Sequence, residues 1–180
     1  MLSEDEVWAL MDAPERRGTF ASLIEEGHFS VDFDQYSNRH FPGQTILRLA
    51  VVFRAQDVAI ALLRAGADPR VGVPGEGPAT NDNPFHRAVI GGLTGFVTAA
   101  LDRFPSLLNE SVRGRRPIWD AVECRPPNPE LVQLLVDRGA DLNFKIDKKY
   151  TFERYMKELW KPQPSRMDAY EPILKILGYR

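Results

Sequence analysis

The chain has 180 residues, 43% of them hydrophobic and 27% charged, which is the balance of a folded chain and the length of one domain, residues 1–180. Its 23 basic and 25 acidic side chains leave a formal charge of -2, so the chain as a whole has no strong pull toward nucleic acid. Cys124 is the only cysteine, which excludes an internal disulfide and fits a reducing compartment.

The acidic opening Met1-Leu2-Ser3-Glu4-Asp5-Glu6 lacks the basic segment and apolar core of a secretion signal, and no apolar run approaches the ~18 residues of a membrane span. A soluble, cytoplasmic protein with no membrane contact is expected. The segment from Val7 to Met11, followed by Gly18 to Gly27, reads as a short helical unit ending in glycine. A long turn then carries Tyr36, Arg39 and Phe41. Thr45-Ile46-Leu47-Arg48 opens a pair of helices, from about Ile46 to Phe53 and from Asp57 to Arg64, closed by Gly66-Ala67-Asp68. Glycine after a helix allows the left-handed conformation that terminates it. The proline- and glycine-rich stretch from Val71 to Thr80 reads as an expanded loop.

A second pair opens at Asn83-Pro84-Phe85-His86, and a proline at 105 predicts that its second helix ends near Phe104. A third opens at Arg116-Pro117-Ile118-Trp119 and ends in Gly139-Ala140-Asp141, echoing residues 66–68. The second and third openings lie 33 residues apart. Thr151-Phe152-Glu153-Arg154 stands where a fourth opening belongs, and Glu171 to Leu177 forms a plausible last helix. Helices this short are marginal alone in water, so each must rest on its neighbours. Leu47, Leu49, Ala50, Val58, Leu62 and Leu63 are the expected inner layers, with the small Ala50, Ala88 and Ala121 where helices approach closely.

This pattern resembles the ankyrin repeat, whose period is near 33 residues and whose signature is Thr-Pro-Leu-His. Asn83-Pro84-Phe85-His86 is the best copy here. The resemblance implies an all-α solenoid of three clear repeats with degenerate N- and C-terminal capping units. In the family the signature threonine and histidine tie the turn to the helix start, so Asn83 and His86 are expected to approximate that pairing.

Catalytic chemistry finds no footing in the pattern. His28, His40 and His86 form no ligand pair at helical spacing, and Cys124 has no second cysteine for a zinc site. The glycines at 72–77 and 91–95 lack the strand-loop-helix setting of a phosphate loop. The expectation is therefore a binding protein, not an enzyme, with no cofactor and no metal.

A solenoid offers a concave face of turn tips and first helices as a pre-formed binding surface. Candidate contacts are the large or charged residues the scaffold does not need: Tyr36, Arg39, Phe41, Phe53, Asn81, Asp82, Arg113, Arg115, Arg116, Trp119, Lys145, Lys148 and Tyr150. Phe53 is either an anchor or a packing group under the loop at 71–80. The basic tips at 113–116 and 145–149 suit an acidic patch on a partner protein, with nucleic acid or self-association as the alternatives. A stoichiometric inhibitor or immunity-type neutraliser is one form such a binder takes.

Overall fold

The computed structural model describes residues 4–29, 44–71, 83–112, 114–146, 150–160 and 167–179. The helices follow one another in pairs: α1 (Glu4–Asp12) and α2 (Arg17–Glu25), α3 (Ile46–Val52) and α4 (Gln56–Ala65), α5 (Pro84–Ile90) and α6 (Thr94–Arg103), α7 (Pro117–Val122) and α8 (Pro129–Asp137). The short α9 (Phe152–Arg154), continued by a π turn over Tyr155–Leu159, and α10 (Met167–Ile176) complete the series. Among the described residues there is no β-strand, only isolated bridges between Val112 and Arg115 and between Lys145 and Thr151.

Local chemistry starts and stops these helices. The Thr45 hydroxyl accepts the backbone N–H of Arg48, and that of Thr151 accepts the N–H of Arg154. Asn83 Oδ1 takes the N–H groups of both Phe85 and His86 at 2.8 and 3.2 Å, doing the work of a signature threonine. These side chains satisfy donors that the first turn of a helix leaves unpaired. Gly66 ends α4 at φ 118°, in the left-handed region. Asp68 and Asp141 each accept the N–H two residues on, from Arg70 and Asn143, so the two Gly-Ala-Asp endings form the same turn. Where Phe104-Pro105 replaces that ending, α6 stops at Arg103 and a 3-10 turn, Pro105–Asn109, follows.

The pairs stack into two rows. Helices α3, α5 and α7 pack successively as the inner row, and α2, α4, α6, α8 and α10 as the outer row. At the ends, Trp8 of α1 meets Phe53 edge-on at 5.4 Å, and Trp119 of α7 lies 5.3 Å from Tyr155 beyond α9. The chain is thus an ankyrin-like helical solenoid. The core runs continuously between the rows: Phe20, Leu47, Leu62, Phe85, Phe96, Ile118, Leu135 and Phe152 are each at most 1% exposed. Ala50, Ala88 and Ala121, fully buried, mark the close approaches. All six residues expected in the inner layers are buried. No described helix is long and apolar enough to cross a membrane.

Candidate functional site

The inner row presents one position in register at the end of each first helix: Val52, Ile90 and Glu123. Val52 and Ile90 are each 45% exposed, and both are large aliphatic groups at neighbouring positions of the stack. Beside Ile90 opens a cleft of roughly 370 Å3 between α5 and α7, walled by His86, Arg87 and Val112 and floored by Arg115, Asp120 and Glu123.

A charged network builds that floor. Asp120 is 2% exposed, yet both its oxygens are engaged: Oδ1 accepts from Arg115 Nε at 2.7 Å, and Oδ2 lies 2.6 Å from His86 Nδ1. With Asp120 ionised, this contact places the imidazole proton on Nδ1. His86 is itself 4% exposed, and its Nε2 is buried without a hydrogen-bond partner. The signature histidine therefore ties its repeat to the next one through a carboxylate, while Asn83 alone caps the helix. Glu123 is the second node: its Oε1 accepts from Trp119 Nε1 at 2.9 Å and from the Tyr155 hydroxyl at 3.1 Å, and its Oε2 from Arg115 Nη2 at 2.7 Å. The Arg115 guanidinium lies over the Trp119 ring, 4.5 Å from its centroid. Burial opposes the charge on Arg115, but the bonds to Glu123 and Asp120 outweigh it and raise its pKa. Burial pushes the Tyr155 hydroxyl up as well, with Glu123 adding to the effect, so the phenol remains a donor.

Six of the expected contact residues can be placed. Arg115 and Trp119 belong to this network. Arg116, one residue along, donates to Asp141 and lies over Phe144, 4.8 Å from the ring centroid. The basic tip at 115–116 is thus an internally paired structure, not an open field of positive charge. Phe53 is half-buried and meets Trp8 edge-on, while residues 72–80 of the loop lie outside the described residues. Lys145 is exposed beside its bridge to Thr151, and Tyr150 lies under Arg154, 5.1 Å from ring centroid to guanidinium. Tyr36, Arg39, Phe41, Asn81, Asp82, Arg113 and Lys148 lie outside the described residues. Asp120 and His86 were not singled out as contacts by the sequence. The signal available was the Arg-Pro-Ile-Trp-Asp run, with an acid one residue after the tryptophan and another three further on.

Cys124 closes the α7 turn, 2% exposed, and its Sγ donates to the Ile90 carbonyl at 3.2 Å. Burial raises its pKa and keeps it a thiol, and the His86 ring is committed to Asp120.

No protein-family model matches the chain, and no curated protein matches it by sequence. Among solved structures, the chain is similar to the immunity protein Bd3460 as solved in complex with the Bd0816 predatory endopeptidase from Bdellovibrio bacteriovorus. The identity is 27% and the TM-score 0.62, over 92% of this chain and 79% of that one. The ankyrin repeat domain of Bcl-3, a member of the IkappaB family, matches at 18% identity and TM-score 0.48, over 96% of this chain and 82% of that chain. EF0377, an ankyrin repeat protein, matches at 22% identity and TM-score 0.43, over 96% and 98%.

Proposed function

We propose that this chain binds another protein across its inner row and blocks it, as a stoichiometric neutraliser of the immunity type. The observation that carries this reading is the pair Val52 and Ile90, aliphatic groups left 45% exposed at equivalent places on adjacent first helices. Neither supports the core, and the exposed apolar surface they leave beside a polar cleft has the make-up of a protein contact site. The surface is built on short helices fixed by packing on both sides, so binding orders little that is not already ordered. The similarity in fold and sequence to an immunity protein solved with its endopeptidase supports the blocking role over a tethering one. The internal pairing of Arg115 and Arg116 counts against nucleic acid as the partner. The lone buried thiol suits action in the cytoplasm.

The test is capture of the partner from the source cells with tagged chain, followed by titration of the purified partner. The partner's activity is expected to fall to an end point at one chain per partner, and Ile90→Asp is expected to lose both capture and suppression. Full activity at saturating chain would make the chain a tether instead of a blocker. Retention of no protein by the wild type would remove the binding role itself.

A further inference from the structure

The donors and acceptors in the cleft are unequally spent. Each of the four carboxylate oxygens there already accepts an internal bond: Asp120 from His86 and Arg115, Glu123 from Arg115, Trp119 and Tyr155. A guanidinium carries five N–H groups in a fixed fork. Arg115 spends one at Nε and one at Nη2, and among the described residues both N–H groups of Nη1 and the second of Nη2 have no partner. The arginine side chain is 35% exposed, so this unspent edge is reachable from the cleft. It is also held still, by the Trp119 ring beneath it and by a carboxylate on each of the two bonded nitrogens. Among the described residues that edge of Arg115 meets no acceptor, and the strongest match to two parallel N–H groups is a carboxylate.

We infer that Arg115 is the anchor of the interface: a partner protein sets an Asp or Glu carboxylate against its free Nη edge and lays an apolar neighbour of that residue on Ile90 and Val52. The inference rests on the binding role proposed above and specifies its chemistry. A fork already immobilised loses little side-chain freedom on taking a ligand, which separates Arg115 from a solvated surface lysine. The aliphatic pair in the same row favours a protein over a phosphate backbone, which would bring no apolar group to cover it.

The probe is an N-acetylated, C-amidated peptide with one glutamate between leucines, compared with its glutamine counterpart and with an oligothymidine of equal length. Binding is read from the arginine side-chain NMR signals of nitrogen-15-labelled chain, Arg115 being assigned from Arg115→Lys, whose fold is verified by circular dichroism. The glutamate peptide is expected to shift the Arg115 signals saturably. The glutamine peptide and the Arg115→Lys variant are each expected to bind about tenfold more weakly, since lysine keeps the charge but not the fork. Equal binding of the two peptides, Arg115 signals that stay fixed at millimolar glutamate peptide, or a shift caused only by oligothymidine would each overturn the inference. Ile90→Asp, in the cleft lining but outside the network, is expected to weaken the leucine-flanked peptide and spare the folded state. A captured partner that is suppressed equally well by Arg115→Lys would sink the anchor while leaving the blocking role standing.

Discussion

Asp120 is a carboxylate with 3% of its side chain exposed, and its cost is met by two charge-bearing or polar donors, Arg115 and His86. Removing one partner of such a group is far more harmful than never having built it, because the other partners are left facing a low-dielectric interior. Asp120→Ala is therefore expected to lower stability to urea by about 3 kcal/mol, leaving His86 with neither ring nitrogen bonded. A loss below about 0.5 kcal/mol would mean that the network is ornamental to the fold. Charge reversal at Arg115 carries the same penalty, so it cannot serve as a stability-neutral probe of binding. Cys124 gives a second test at this scale. With its thiol buried and its pKa raised by that burial, alkylation by iodoacetamide at neutral pH should be orders of magnitude slower than in the unfolded chain and should quicken with urea. Fast labelling of the native protein would place the thiol at the surface. Of this network only Arg115 and Trp119 were legible beforehand, and their bonds were not. The arginines at 113–116 stood out as charge, but the acceptors of Arg115 lie five and eight residues further along, that of Arg116 lies 25 residues on, and the His86 contact spans 34 residues across a repeat boundary.

Individual elements were far easier to read, because each helix end is written in local chemistry. Glycine at 66 and 139, proline at 105 and the cap residues at 45 and 83 all act within four residues of where they stand. Gly66 sits at φ 118° with open space where a side chain would begin, so Gly66→Ala meets no clash and tests the backbone alone. It should cost about 1–2 kcal/mol, read from the urea midpoint. Hydrophobic register was less secure. Leu62 is fully buried, and Leu62→Ala should cost about 3 kcal/mol. In the matching helix α8 the buried residue is Leu135, while Leu134 is only half-buried at its edge. Two adjacent leucines leave the choice open to a reading of spacing, and packing against α6 and α10 decides it. The last helix begins at Met167, four residues before the expected start, since Pro172 falls inside it without ending it.

At the scale of the whole molecule the repeats are held to one another twice, by the core between the rows and by polar links between turns. Arg70 reaches from the turn after α4 to Glu110, with bonds of 2.7 and 2.9 Å to its two oxygens, and to Ser106. The bond from Arg70 holds the Glu110 carboxyl below its ordinary value. A carboxyl depressed in the folded state contributes its full stabilisation above its unfolded pKa of about 4.3 and loses it as the pH falls through the lower, folded value. The melting temperatures of wild type and Glu110→Gln should accordingly differ most at about pH 6 and draw together as the pH falls below about 4.3. A gap that persists in acid would assign the link to shape instead of charge. Because each repeat touches only its neighbours, protection must also vary along the stack. Helices α4 and α6 are flanked on both sides in the outer row, whereas α10 rests on α8 alone in that row, and α1 touches α2 and, through Trp8, the end of α3. Amide hydrogen exchange is therefore expected to be slowest in α4 and α6 and to quicken toward α1 and α10. A flat profile, with every helix exchanging at the rate of global unfolding, would mean that the terminal units are as tightly coupled as the central ones. The proposed binding face would then move as one body, and a partner could not open it from an end.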